Sequence, residues 1–391
     1  MTRPVLGFKG FKNGWRKDIL INRFKLIDGD RGSNYPNEND FQKEGYCLFL
    51  NAHNLTETGF DFSNMNFISE EKHNSLRKGQ LEFEDIIITS RGSKLGKVAI
   101  YNKTLPSNVI RINSAMLIIR KKTDAIMVDF MEKLIRYKIL PRFIYSSKIG
   151  SAQPHVTVRD LNKETFSFPN DIEEQKKIAD FFSLLDRRIE KQQEKIALLK
   201  ERKKGLLHKI FSQELRFKDD NGKDFPKWKQ VKIGSILKVR HGKDQKQVQI
   251  DEGKYPILGT GGVIGYTNTP LYTSPSVLIG RKGTINKPQF REQPFWTVDT
   301  LFYTEILLEH RPKFVYYLFQ TINWLKYNEA SGVPSLSAST IESITCLIPS
   351  VKEQNKIADF FSLFDNKIQI ENQKLVNLHE QKKGFMQKMF I

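Results

Sequence analysis

Two short basic turns carry the residue types that could do chemistry in this chain. The apolar run Ile86-Ile87-Ile88 opens into Arg91-Gly92-Ser93-Lys94-Leu95-Gly96-Lys97, and Val277-Leu278-Ile279 opens into Arg281-Lys282-Gly283-Thr284-Ile285-Asn286-Lys287. A tight turn carrying glycine, a hydroxyl and flanking Arg and Lys can present backbone N–H groups and cations to a phosphate. An Arg at its base can also reach a guanine edge, since bidentate Arg–guanine pairing is the commonest specific base contact. The DNA-binding candidates here are Arg91, Ser93, Lys94 and Lys97 in the first turn and Arg281, Lys282, Thr284 and Lys287 in the second. An ordinary basic turn at a strand end is the competing reading. Three more segments set turn formers beside donors and suit recognition loops: Asp28-Gly29-Asp30-Arg31-Gly32-Ser33-Asn34-Tyr35, Gln153 with His155, and Gly259-Thr260-Gly261-Gly262-Val263-Ile264-Gly265-Tyr266. From these, Arg31, Gln153, His155 and Tyr266 join the candidates.

Catalytic patterns fail on the same residues. The stretch from Gly92 to Val98 resembles a phosphate loop, but it is one residue short and has Val98 where the metal-binding hydroxyl belongs. The glycines from Gly259 to Gly265 miss the G-x-G-x-x-G spacing of a dinucleotide site. No Asn/Asp-Pro-Pro-aromatic tetrapeptide, the usual amino-methyltransferase site, occurs. Asp244 with Glu252 and Lys254 mimics a nuclease triad, which chance readily supplies in a chain so rich in acids and lysines. The histidines show no metal-ligand spacing. The expectation is a non-catalytic chain with no metal and no cofactor of its own, serving chemistry that belongs to a partner.

What positions the turns is a duplication. EEQKKIADFFSLLDRRIE, starting at Glu173, returns 179 residues later as KEQNKIADFFSLFDNKIQ, starting at Lys352. A repeat this wide describes a two-fold object made from one chain, and implies a two-part target. At alternating steps of four and three, the first copy places Ile178, Phe182, Leu185, Ile189, Gln192, Ile196, Leu199, Lys203, Leu206 and Ile210 on one stripe. The second places Ile357, Phe361, Phe364, Ile368, Glu371, Leu375, Leu378, Lys382, Phe385 and Met389 there, with polar residues in the same two slots. An apolar period of 3.5 held over more than four heptads predicts a coiled-coil seam. The simplest arrangement pairs the two helices antiparallel about a pseudo-two-fold axis. Burial of both helices in one large core is the alternative. Dense charge off the seam (Asp186, Arg187, Arg188, Glu190, Lys191, Glu194, Lys195) weighs against it. Pro169 precedes Asp171-x-x-Glu174 and Pro349 precedes Ser350-x-x-Glu353, both predicting capped helix starts. Gly205 and Gly384 sit at matching places; a mid-helix glycine costs ~1 kcal/mol, which suggests close backbone approach or a helix end. At ~1.5 Å per residue, residues 173–211 make a rod of roughly 58 Å.

With 391 residues, a prior of ~150 per domain predicts two or three domains. Residues 1–171 and 218–351 form two blocks with shared landmarks in the same order, and residues 172–217 and 352–391 are the helical spacers. Trp15 is answered by Trp228, and Ser151-Ala152-Gln153-Pro154 by Ser331-Gly332-Val333-Pro334. Short β-rich runs such as VAIY and MLII alternate with one helical stretch per block, VDFMEKLIRYKIL and RPKFVYYLFQTINWLKY, so the fold class is α+β. Lys and Arg number 63 against 44 acids, giving +19. That excess favours a polyanion, of which nucleic acid is the commonest, over a merely soluble basic surface. Cys47 and Cys346 stand alone and far apart, which suits a reducing cytoplasm. With no signal sequence or long apolar run, a soluble cytoplasmic protein without a membrane partner is expected.

The order variable block, helix, variable block, helix resembles the specificity (S) subunit of type I restriction–modification systems. The resemblance spans the chain and rests on Glu-Gln-x-Lys-Ile-Ala-Asp-Phe-Phe at Glu174 and Glu353 and on Gly-Val-Pro-Ser-Leu from Gly332 to Leu336. The first block departs from the latter run with Ala152-Gln153-Pro154-His155. The resemblance implies two target recognition domains, each binding half of a split, asymmetric site in double-stranded DNA. It implies paired helices that act as a ruler for the unread gap. It also implies two adenine methyltransferase (M) subunits docked on them and nuclease/translocase (R) subunits joining the core. S-adenosylmethionine, ATP and Mg2+ would be used by those partners. A stand-alone bipartite DNA-binding coiled-coil protein remains the rival reading.

Overall fold

The computed structural model describes residues 4–390 apart from 12, 58, 102–106, 108, 148–154 and 308. The chain divides into two compact units, residues 1–193 with 374–391 and residues 194–373. Each is an α+β domain that also holds part of both long helices.

In the first unit the strands are β1 (Trp15–Ile19), β2 (Phe24–Asp28), β3 (Cys47–Leu50), β4 (Phe67–Ile68), β5 (Ile86–Thr89), β6 (Val98–Ile100), β7 (Ile110–Ile112), β8 (Met116–Lys121) and β9 (Thr165–Pro169). They form an antiparallel sheet ordered β2-β8-β5-β6, a sheet ordered β4-β3-β7 in which β3 and β7 run parallel, and a separate β1-β9 pair. A strand covered on both faces reads as a continuous apolar run rather than an alternation. That is the case for β5. Ile86 and Ile88 pack with Phe130 and Leu134 of the helix Val128–Leu134, while Ile87 packs with Leu48, Leu50 and Ile118.

The second unit repeats the plan with β10 (Lys229–Lys232), β11 (Leu237–Arg240), β12 (Tyr255–Gly259), β13 (Gly262–Thr267), β14 (Ser276–Gly280), β15 (Gln289–Arg291), β16 (Trp296–Thr297), β17 (Leu301–Ile306) and β18 (Thr345–Ile348). Its sheets are β11-β17-β14-β15 and β13-β12-β16, with β12 and β16 parallel, and β10 pairs with β18. Val277 and Ile279 face the helix Pro312–Thr321, and Leu278 faces Leu258 and Phe295.

The repeated tract forms two uninterrupted helices, Ile172–Phe211 and Val351–Met389. Within each unit they pack antiparallel. In the first, Phe181 meets Phe385 at 5.0 Å between ring centres and Phe182 stacks on Phe390 at 5.1 Å. In the second, Lys195 bonds Glu371 and Lys203 bonds Asp365. Every residue of the expected seam is buried or half-buried, the polar slots included. Among the described residues no helix is long and apolar enough to cross a membrane.

The lysine slot of each helix is filled by one cluster built twice. In the first unit Lys382 Nζ lies 2.5 Å from Asp186 and 4.1 Å from the Tyr137 ring centre, and the Tyr137 hydroxyl donates to Asp186. In the second, Lys203 Nζ lies 2.6 Å from Asp365 and 5.0 Å from the Tyr317 ring, and the Tyr317 hydroxyl donates to Asp365 at 2.6 Å. Asp186 is therefore not part of the solvated off-seam charge; it turns inward, while Arg187, Arg188, Glu190, Lys191, Glu194 and Lys195 stay exposed. Burial alone would raise the Asp186 carboxyl, but Lys133, Lys382 and the Tyr137 hydroxyl outweigh it and hold it below its ordinary value of 3.8. The same burial pushes the Lys382 ammonium down and the Tyr137 hydroxyl up.

The helix starts also depart from the simple capping expectation. Both expected capping side chains are in place, Asp171 Oδ1 accepting from Glu173 N at 2.9 Å and Ser350 Oγ from Glu353 N at 3.5 Å, but the third-position acids are committed elsewhere. Glu174 accepts from the Trp15 indole at 3.5 Å, and Glu353 accepts from Trp228 at 3.1 Å and from Arg216 at 2.8 Å. The next residue repeats the logic. Gln175 bonds Met127 N and the Pro169 and Ala125 carbonyls, and Gln354 bonds Arg311 N and the Pro349 carbonyl. The Glu-Gln pair thus ties each long helix to the block preceding it. Gly205 and Gly384 are neither helix ends nor close approaches: both are helical, and a β-carbon at either would meet nothing within 4 Å.

Gly205→Ala and Gly384→Ala are each expected to stabilise the chain by about 0.5–1 kcal/mol, read as a higher urea midpoint. A carboxyl depressed in the fold contributes stability that is present above its unfolded value and lost as pH falls through its folded one. The stability gap between the native chain and Asp186→Asn should therefore be widest near neutral pH and shrink below about pH 4. A gap that does not change with pH would remove the carboxylate from the clamp.

Candidate nucleic-acid interface

The two basic turns are equivalent places in the two units, but in a register one residue different from that read off the sequence. Arg91 forms a bridge with His155, and Lys282 forms one with Ser335. Val156 N donates to Ser90 O at 2.8 Å, and Leu336 N donates to Arg281 O at 2.9 Å. The next residue in each turn, Gly92 or Gly283, has φ +80° or +86°, a conformation glycine alone adopts without strain. Arg91 therefore corresponds to Lys282, and Ser90 to Arg281.

Each turn borders a depression. In the first unit it measures about 380 Å3 and is lined by Asp28, Arg31, Ser90, Arg91, Leu117 and residues 155–158. In the second it measures about 500 Å3 and is lined by His241, Arg281, Lys282, Phe302, Glu329 and residues 335–339. The chain is pinned at equivalent glycines next to the lining residues Asp28 and His241. A β-carbon on Gly29 would fall 2.1 Å from the Asn113 carbonyl, and one on Gly242 would fall 2.0 Å from that of Val298. The far wall is the start of a short helix, capped by Thr157 in one unit and by Ser337 in the other. Frame and capping chemistry are shared, but Asp28, Leu117 and His155 stand where the second unit has His241, Phe302 and Ser335.

Local hydrogen bonds hold these groups in place. Asp30 accepts from the backbone N–H groups of Arg31, Gly32, Arg77 and Lys78 at 2.6–3.3 Å. Burial would raise this carboxyl, and those donors outweigh it and hold it low. The loop so fixed presents Arg31, whose exposed guanidinium reaches Asp28 at 2.8 Å. Glu329 accepts from the Thr340 hydroxyl and from the Ser337 hydroxyl at 2.8 Å; these bonds keep it ionised below its ordinary range and fix the rim of the second depression. Each depression thus sets two cations (Arg31 and Arg91, or Arg281 and Lys282) against one carboxylate and several hydroxyl or backbone groups.

The structure brings Arg31, Arg91 and His155 together, and Arg281 with Lys282. Ser93, Lys94 and Lys287 are exposed on the turns without lining the depressions, and Thr284 is half-buried with its carbonyl packed against Gly280. Lys97 is separate. It pairs with Glu57 in another cleft of the first unit, beside Arg136 and Asp186, and burial lowers its ammonium. Tyr266 is exposed on β13, away from the second depression. Gln153, with the landmark around it, lies outside the described residues. Sequence reasoning missed Thr157, His241, Glu329, Ser335 and Ser337. The signal for the two caps was present as Thr157-x-x-Asp160 and Ser337-x-x-Thr340.

A family model described as "Type I restriction modification DNA specificity domain" matches residues 26–201 and 226–380. The chain is 27% identical over 212 residues to the type I restriction enzyme MjaVIII specificity subunit of Methanocaldococcus jannaschii, a match covering 46% of each chain. It therefore spans about half the length of that relative. It is 24% identical over 379 residues to the putative type I restriction enzyme MjaX specificity subunit of the same organism, covering 88% of this chain and 86% of the relative. Two solved structures share the fold. The S subunit of a type I restriction–modification system from M. genitalium aligns with a TM-score of 0.60 at 18% identity, covering 100% of this chain and 99% of that one. A chain from a structure of type I R-M complex assembly and conformational transition aligns with a TM-score of 0.61 at 15% identity, covering 98% of each.

Proposed function

The chain belongs to the type I restriction modification DNA specificity family, and on that premise we propose that it is the recognition subunit of a type I restriction–modification complex, reading a bipartite, asymmetric DNA site. Residues 1–171 and 218–351 act as target recognition domains, one for each half-site. Residues 172–217 and 352–391 act as the spacer that sets the unread gap and receives two methyltransferase subunits, with nuclease/translocase subunits joining that core. This chain contributes recognition and no catalysis. S-adenosylmethionine, ATP and Mg2+ are used by the partners, in the cytoplasm where the DNA lies.

The observation that supports this most directly is the pair of equivalent depressions with one frame and different linings. A shared frame with diverged filling is what two readers of different half-sites need. Lys and Arg first engage the phosphate backbone, largely without sequence preference and with strong salt sensitivity. Arg31 and Arg91 in one domain, and Arg281 and Lys282 in the other, then test base edges, for which guanine O6 and N7 are the natural acceptors. A duplex matching both halves is retained long enough for each methyltransferase to flip its adenine out of the stack. Methylation status then decides between modification and ATP-driven cleavage, both carried out by partners. In this reading the gap follows from helix length, because each of the two helices, of 40 and 39 residues, runs uninterrupted.

A genome-wide map of methylated adenines, with and without this gene, should lose one bipartite motif of fixed gap. An unchanged map in cells making the chain and a companion methyltransferase would favour a stand-alone DNA-binding role. Arg281→Ala with Lys282→Ala should weaken binding by about 10- to 100-fold, lower the salt slope by about one for each phosphate no longer neutralised, and relax only the half-site read by the second domain. Equal damage to both halves would assign these residues to general binding or folding. Heptads inserted at matched places in both long helices should lengthen the gap and leave both half-sites unchanged; an altered half-site would contradict the ruler.

A further inference from the structure

The β12–β13 hairpin of the second unit leaves a row of apolar side chains about half exposed. Val263 and Ile264 are both 48% exposed, Tyr266 is 44% and Ile250, bridged to Tyr266, is 41%. Strict alternation along a strand would send adjacent residues to opposite faces. Here the register shifts: Ile257 pairs with Gly265 and Leu258 with Val263, so Ile264 is an extra residue. This bulge leaves two consecutive β-branched side chains half exposed, Ile264 lying across Gly259 of the facing strand, and bulges re-aim side chains at functional edges. The turn that follows β12 is narrow. Gly261 and Gly262 have nothing within 4 Å of a would-be β-carbon, and Gly262 has φ +122°. The ribbon is also anchored, since β12 pairs with the buried β16 and its Ile257 and Leu258 are fully buried.

An exposed apolar edge strand invites aggregation unless something covers it, and its surroundings indicate what does. Thr260 at the hairpin tip adjoins the basic turn, its hydroxyl lying 3.9 Å from where a β-carbon on Gly283 would stand, one residue from exposed Lys282. Lys254 flanks the other end, 5.4 Å from the Tyr255 ring. An apolar ribbon between cations fits the major groove, which admits a two-stranded ribbon and whose one apolar feature is the thymine C5-methyl group. The corresponding strand of the first unit, β4, has both residues buried and offers no such edge.

We propose that the β12–β13 hairpin is a specificity element of the second domain, with Val263 and Ile264 contacting thymine methyl groups in its half-site. This rests on the reading of the chain as a bipartite DNA-recognition subunit. The test uses the full chain with its methyltransferase and duplexes of the mapped site, replacing each thymine of that half in turn by uracil, which removes the methyl and keeps base pairing. Affinity should fall about fourfold, the worth of one buried methyl, at one or two positions. The Val263→Ser/Ile264→Ser variant should be indifferent to the same replacements while reading the other half normally. Native complex indifferent to uracil at every position, or a half-site without any A·T pair, would overturn the proposal and leave bipartite recognition standing. A methylation map with no bipartite motif would overturn both.

Discussion

The lysine–carboxylate–tyrosine cluster between the long helices is the constraint on which the rest of each unit depends. A seam of Ile, Leu and Phe alone is nearly indifferent to sliding by a heptad, because one apolar side chain replaces another. A buried ammonium is not indifferent, since it is costly in any register that leaves it unpaired. Lys382 finds Asp186 and the Tyr137 ring in one register, and Lys203 finds Asp365 and Tyr317 in one register. Polar groups in a seam trade stability for specificity of pairing. Tyr137 and Tyr317 belong to helices of the globular blocks, so each cluster also joins its block to the helix pair.

The Glu-Gln pair at each helix start extends that coupling to the strands. Glu174 and Glu353 take indole donors from Trp15 and Trp228, which lie in or beside the outer strand pairs β1-β9 and β10-β18. Gln175 and Gln354 satisfy backbone groups at the starts of the adjoining helices. Because the framework is held at these points, the depressions can change their linings without unsettling the fold. Asp28 and His241 occupy the same place at the end of β2 and just after β11, while Leu117 and Phe302, at the same place on β8 and β17, reach from the core to the lining.

The exposed Val263–Ile264 edge and the buried β4 show how far that freedom extends. One unit presents a twisted apolar ribbon where the other tucks the strand away. The pinned glycines, Gly29 and Gly242, stay in both, since each lies where a backbone passes too close for any side chain.

Much of this is legible in the residues alone. Spacing gave the seam, because a 3.5-residue apolar repeat has few other solutions, and the duplication gave the two-fold plan. The strand-to-turn elements were readable because a doubly covered strand is continuously apolar and a basic turn after it is locally encoded. What only the tertiary structure decided was pairing across distance. Asp186 reads as one more surface charge until Lys382 and Tyr137 are seen beside it. Glu174 and Glu353 read as caps until the tryptophans arrive, and Arg91 aligns with Lys282 only once the His155 and Ser335 bridges set the register. Lys97 leaves the basic turn for another cleft for the same reason. Local pattern records which faces a segment must bury. Which distant charge or ring meets it depends on how the chain closes on itself, and no single segment encodes that.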